Sequence, residues 1–174
     1  MAATGDATDY ERFLDGYRTA PTPQERLRLL YALGDFPDEA LLDRTLAFAF
    51  SGEVRTQNAP FLLNRCIAQR DLGERAWQFV RQHWDEANRL FPNSLIVRMV
   101  DPVKLLVRPH QQAEVAAFFA EHPIPQSART LEQLLERQRI NVGLAGREGA
   151  SLGAGIASLV YQPRTTGTER GPRT

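Results

Sequence analysis

Ser51–Phe91, SGEVRTQNAPFLLNRCIAQRDLGERAWQFVRQHWDEANRLF, is the stretch that decides the fold. Gly52 is a helix stop, and a polar loop follows it to Asn58. Pro60 opens a second helix, with Leu62, Leu63, Cys66 and Ile67 on one side. After Gly73 the apolar residues Trp77, Val80, Trp84, Ala87 and Phe91 advance in steps of 3, 4, 3 and 4. That spacing puts all five on one stripe of a single helix, which Pro92 ends. Arg81, Asp85 and Arg89 lie four apart on another side of it and read as a solvated ion-pair ladder.

Outward from this block the period stays helical. Tyr10, Phe13, Leu14 and Tyr17 form one stripe. Thr22, Pro23 and Glu25 read as N-cap, first helical position and capping-box partner, and Gly34 as a left-handed cap after Leu33. The next helix is expected to start within Asp35–Pro37 and to bury Leu41, Leu42, Thr45, Leu46 and Ala49. Downstream, Leu95–Val100 and Val103–Val107 read as short helices. Pro109 opens another, with Val115, Phe118 and Phe119 inward and Pro123 beyond its end. A last helix runs from about Ser127 to Val142, with Leu131, Leu134, Leu135, Gln138 and Val142 in line and a capping box over Thr130–Gln133. Short helices with short connections predict an all-α fold, an α-solenoid of roughly three antiparallel helix pairs of HEAT/armadillo-like type. Pro21, Pro60 and Pro102 recur at about the spacing of such repeats. Residues 1–9 are a flexible leader and 10–142 the helical domain. Residues 143–174 hold seven of the twelve glycines and read as a mostly disordered tail, in which 149–160 suit one weak helix.

Composition bounds the function. Of 174 residues 43% are hydrophobic and 24% charged, an ordinary globular balance, and 21 basic residues match 21 acidic ones. No basic excess argues for nucleic acid or an anionic membrane as partner. The longest apolar run, Val115–Ala120, is too short to span a bilayer, and the N-terminus has no secretory pattern. With Cys66 as the only cysteine, no internal disulfide forms, and a cytoplasmic protein is expected. From Met1 and the native-looking tail, a separate coding sequence is expected.

The blocks PTPQERLRLLYALGDF, LLDRTLAFAFSGEVRTQ, AWQFVRQHW, EVAAFFAEHP and RTLEQLLERQRINV stand in an order and spacing that resemble a known domain. It is the C-terminal helical domain of zinc aminopeptidases of the aminopeptidase N, puromycin-sensitive and endoplasmic-reticulum type. The resemblance covers about Tyr10–Val142 and corresponds to the second half of that HEAT-like domain. It implies a non-catalytic module that encloses peptide substrate or regulates access to it. The zinc motif HExxH and the amine-binding GxMEN segment are absent from this sequence, so the resemblance implies no catalytic residue, no metal ligand and no cofactor in this chain, and zinc would belong to a separate catalytic domain. Two departures stand out. Asn58 replaces an acidic residue of the family. Gly143-Leu144-Ala145-Gly146 replaces a tryptophan-bearing end, so the terminal helix is expected to be lost or frayed.

Three readings of function follow: a peptide-enclosing or regulatory module, a stand-alone helical scaffold for protein–protein interaction, or a subunit or fragment of an active metalloaminopeptidase. The candidate peptide-binding residues are Arg55 and Gln57. They lie in a loop, and a guanidinium recognises a carboxylate such as a peptide C-terminus bidentately. The alternative is an inter-repeat ion pair or helix capping by Arg55. His83, His110 and His122 lack ligand spacing; only His110 and Glu114 are i, i+4 neighbours, too few for zinc. Cys66, between Leu63 and Ile67, reads as a buried inert thiol. Expected partners are a peptide, an aminopeptidase catalytic domain supplied in trans, or a second copy through the N-terminal solenoid face, where a repeat without a cap exposes apolar surface.

Overall fold

A computed structural model describes residues 5–160, and side chains within 5–147. Its α-helices are α1 (Ala7–Thr19), α2 (Pro23–Ala32), α3 (Glu39–Phe50), α4 (Ala59–Ile67), α5 (Gly73–Gln82), α6 (Trp84–Leu90), α7 (Asn93–Val100), α8 (Pro109–Glu121) and α9 (Ala128–Val160). Short 3₁₀ turns cover Leu33–Asp35, Asp101–Leu105 and Pro125–Ser127, and no strand occurs among the described residues. The helices alternate between two layers. The first holds α1, α3, α5 and α8; the second holds α2, α4, α7 and α9. Helices within a layer run in the same direction: Glu11 of α1 meets Arg44 of α3, and Arg18 meets Glu53 just beyond α3. The result is a solenoid of four helix pairs, one more than the three expected.

The repeat is visible in the hydrogen bonds. Apart from the bond of Thr45 to the Leu33 carbonyl, side-chain bonds that join one pair to the next span 30 to 37 residues, from Arg65–Asp35 to Asn141–Lys104. Each pair thus touches its neighbours, as a solenoid requires.

Local chemistry sets most helix starts. The Asp6 carboxylate accepts from the Thr8 and Asp9 amides at 2.9 and 3.0 Å, and Asp38 accepts from Leu41 at 2.9 Å. Thr22 Oγ1 accepts from the Glu25 amide at 3.2 Å, while Glu25 turns to Arg28 at 3.9 Å, so one half of the expected box forms. α3 begins at Glu39, not within Asp35–Pro37, because a 3₁₀ turn takes up Leu33–Asp35 and Asp38 is the cap. Gly34 is not a left-handed cap. Only Gly52, at φ 85°, has positive φ among the described residues. Gly34 is buried instead, with Arg65 Cβ and Cys66 Sγ within 3.5 Å of where a side chain would start. Thr130 lies inside α9 and caps nothing.

The tryptophan stripe is buried as expected: Trp77, Val80, Trp84, Ala87 and Phe91 are each at most 6% exposed. Trp77 and Trp84 pack against Phe118 and Phe119 of α8 at ring separations of 5.1–5.8 Å. The helix carrying the stripe is bent, however. At His83 (φ −108°, ψ 23°) α5 gives way to α6. The His83 ring stacks on Phe79 at 4.0 Å, and its Nδ1 joins its own amide on the Phe79 carbonyl. This break takes Arg81 out of register with Asp85, so the expected ladder does not form. Arg81 pairs with Glu114 of α8 at 3.1 Å, and Arg89 with Glu86 at 3.5 Å. The end of α8 repeats the device: His122 stacks on Phe118 at 4.3 Å and its Nδ1 meets the Phe118 carbonyl.

α9 does not stop at Val142, where the tail was expected to begin. It continues to Val160, through the Gly143–Gly146 segment expected to fray. Extension from the packed turns around Leu131 and Leu134 adds a hydrogen bond for each residue fixed. The rest of the anticipated tail, residues 161–174, lies outside the described residues. No helix among the described residues is long and apolar enough to cross a membrane. Among the described residues the exposed large apolar side chains are Phe61, Ile140 and Leu144 of the second layer and Leu105 of the 3₁₀ turn between α7 and α8. Phe13, Leu27, Leu29 and Tyr31 of the first pair are partly buried.

Candidate functional site

The turn from α3 to α4 carries both candidate residues. Ser51 Oγ donates to the Phe48 carbonyl at 2.8 Å and accepts from the Glu53 amide at 3.2 Å. Gly52 supplies the left-handed step that reverses the chain. Val54 is 3% exposed and pins the turn to the core. The Arg55 carbonyl then accepts from the Asn58 and Ala59 amides at 2.8 and 3.1 Å and starts α4. Held by its backbone in this way, the turn leaves the side chains of Arg55, Thr56 and Gln57 exposed.

Charges from two neighbouring helix pairs meet around the turn. The Tyr17 hydroxyl donates to the Glu53 carbonyl at 3.1 Å. Burial pushes the Tyr17 hydroxyl pKa up; the charges of Arg26 and Arg55 pull it back and that of Glu53 adds to the rise. The charges of both guanidiniums thus reach this hydroxyl. Arg26 also donates to the Ala20 carbonyl at 3.4 Å. The inter-repeat ion pair that was the alternative role for Arg55 is made next to it by Arg18, whose fork holds Glu53 at 3.0 and 3.2 Å. Helix capping falls to the Arg55 backbone carbonyl. Its guanidinium has no hydrogen bond or ion pair among the described residues. Sequence reading places Arg55 and Gln57 in a loop, as the structure does, and singles out neither Arg26 nor Tyr17 for this site. Nothing in local sequence joins positions 29 and 38 residues away from Arg55; only the repeat register does.

The other reactive groups are engaged structurally. His83 and His122 are tied to backbone carbonyls, and His110 Nε2 meets Glu74 at 3.2 Å. His110 and Glu114 do not come together: Glu114 serves Gln78 and Arg81. No group of three or more potential ligands that could hold a metal ion occurs among the described residues, so these residues do not fit a zinc site. Cys66 is fully buried, and burial pushes its thiol pKa up to about 12, which leaves it protonated and unreactive. Two shallow cavities flank the layers. One, of 540 Å³, is lined by Tyr31, Phe61 and the Asp35–Arg65 pair. The other, of 580 Å³, lies between α3 and α5 beside Arg75.

A family model described as the ERAP1-like C-terminal domain matches residues 1–140. Among curated relatives, Aminopeptidase M1 of Arabidopsis thaliana is 33% identical over 142 residues, 80% of this chain and 16% of that protein. Aminopeptidase M1-D of Oryza sativa subsp. japonica is 33% identical over 134 residues, 76% of this chain and 15% of that protein. The alanine/arginine aminopeptidase of Saccharomyces cerevisiae is 28% identical over 151 residues, 85% of this chain and 18% of that protein. The chain spans less than a fifth of the length of these relatives.

Proposed function

Because the chain belongs to the family of ERAP1-like C-terminal domains, we propose that it is a non-catalytic helical wall that encloses peptide in an aminopeptidase context. The observation that carries this reading is the exposed Arg55–Gln57 turn, where the charges of Arg26 and Arg55 both act on Tyr17 and neither guanidinium pairs with a carboxylate among the described residues. Arg55 takes the carboxylate of a peptide C-terminus, Arg26 adds positive potential, and the Gln57 amide hydrogen-bonds the last peptide unit. Any zinc chemistry belongs to a catalytic domain supplied in cis or in trans.

Fluorescence anisotropy with a labelled peptide tests this. A free C-terminus should bind, and its amide should bind at least about tenfold more weakly, the value of one charge-assisted hydrogen bond. Arg55→Ala should erase the difference; equal binding of acid and amide would sink the carboxylate role. Turnover of a fluorogenic aminoacyl amide by the pure chain would overturn the non-catalytic assignment. A scaffold reading is favoured separately by the exposed Phe61, Ile140 and Leu144 of the second layer and Leu105 of the turn after α7. It predicts partner binding that is indifferent to Arg55 and to a free carboxylate.

A further inference from the structure

We infer that the joint between α3 and α5 is a hinge latched by Arg75, which lets the first layer open while the aromatic contacts at its far end hold. The three joints of the first layer are held in different ways. Between α1 and α3, neutral bonds add to the ion pairs: Tyr10 meets Thr45 at 3.0 Å, and Tyr17 meets the Glu53 carbonyl. Between α5 and α8, Glu114 is held by Gln78 and Arg81, and Glu74 by Gln111, His110 and Arg108, above the interlocked Trp77, Trp84, Phe118 and Phe119. Between α3 and α5, among the described residues, every side-chain hydrogen bond comes from Arg75. It forks onto Asp43 at 2.8 and 2.7 Å and reaches Glu39 at 3.2 Å.

The latch sits at one end of this joint. Asp43, Glu39 and Arg75 lie near the N-termini of α3 and α5 and bridge the 580 Å³ cleft. At the opposite end Phe50 packs on Phe79 and Phe91 at 5.8 and 5.1 Å. Around the cleft the α4–α5 turn is close-packed, with the Ile67 carbonyl oxygen in the place where a Gly73 Cβ would stand. A bidentate pair across a cleft, an aromatic pivot at the far end and a close-packed turn are the parts of a hinge. Arg75, Asp43 and Glu39 are all about half exposed or more, so salt screens the latch while leaving the pivot untouched.

Nitroxide pairs read this directly. One pair replaces Ala40 and Asp71 at the cleft rim; the other replaces Ala47 and Gln82 toward the pivot. Cys66 stays in place, since its burial keeps it unlabelled. The rim distance should grow by several ångströms between low salt and about 1 M salt, and the pivot distance should stay constant. Arg75→Gln should show the wide rim distance at both salts, and Arg75→Lys, which keeps the charge but not the fork, should fall between. A rim distance unmoved by salt would overturn the hinge, as would equal widening of both pairs. The wild-type salt titration decides even if the variants fold poorly.

Discussion

The two layers are stitched by different chemistry. Across the first, carboxylate–guanidinium pairs join every pair of neighbouring helices, Glu11–Arg44, Glu53–Arg18, Asp43–Arg75 and Glu114–Arg81, beside neutral bonds such as Tyr10–Thr45. Across the second, most are side-chain amides that donate to backbone carbonyls: Gln69 to Gly34, Asn64 to Arg98, Gln126 to Asn93, Gln138 to Leu106 and Asn141 to Lys104. Asp35–Arg65 is the ionic exception there. A neutral bond to a carbonyl fixes the register of one helix against its neighbour and does not respond to salt. An exposed ion pair contributes little in water and weakens as salt rises. The second layer therefore sets the register of the repeats, and the first adjusts to conditions.

The largest expected effect tests the core on which both layers rest. Trp77→Ala should cost about 3–5 kcal/mol in a urea melt, because the side chain is 1% exposed against Phe118 and Phe119. The indole N–H has no hydrogen-bond partner, so the loss is one of packing. A loss under about 1 kcal/mol would remove Trp77 from the core. Next comes Gly73→Ala, which forces a Cβ onto the Ile67 carbonyl at the layer crossing and should cost roughly 1–3 kcal/mol. A neutral result would mean that the α4–α5 turn yields, and the hinge would lose its fixed arm.

Gln138→Ala breaks the second layer by one bond. Gln138 is 1% exposed and its amide serves the Leu106 carbonyl, so the loss should be roughly 1–3 kcal/mol, and the same loss should persist at about 1 M salt. The first layer gives the smallest effect and the opposite salt response. Arg81→Gln should cost less than about 1 kcal/mol, and the difference should vanish at high salt. If salt erased the Gln138 effect and spared the Arg81 effect, the contrast between the layers would be reversed.

Acid gives a further separation. The hydrogen bond from Arg44 holds the Glu11 carboxyl below its usual pKa, and that from Arg75 does the same for Asp43. A carboxyl depressed on folding contributes stability that is fully present above the ordinary carboxylate range. That stability is lost as pH falls through the range and below it. Glu11→Gln with Asp43→Asn should thus flatten the acid limb of the stability curve while changing it less near neutrality. An unchanged acid limb would show that these pairs contribute nothing.

Much of this was readable in the sequence where the physics is local. The apolar stripes of Tyr10–Tyr17, Leu41–Ala49 and Trp77–Phe91 are the buried faces, because a 3.6-residue period is a property of neighbours along one helix. The resemblance carried by blocks such as AWQFVRQHW identified the family. What stayed hidden was chemistry between helices. The sequence pairs Arg81 with Asp85, because i, i+4 spacing is all that one helix shows. Its partner, Glu114, is 33 residues away. The bend at His83 depends on a ring competing for a carbonyl, which no periodicity reveals. Gly34 looked like a cap because glycine suits left-handed turns, yet its lack of a side chain admits Arg65 and Cys66. At the candidate site the loop position of Arg55 and Gln57 was legible, while the contribution of Arg26 needed the solenoid to bring it near.

The spacing of the inter-repeat hydrogen bonds also bears on how the chain folds. The longest of them, Gln111–Glu74 and Asn141–Lys104, each close 37 residues. Chain closure is therefore met one repeat at a time, never across the whole length, and its entropy grows only slowly with the loop closed. Such low contact order favours rapid refolding. Nucleation at any adjacent pair can spread in both directions, and stretches of helix can peel from an end while the middle stays native.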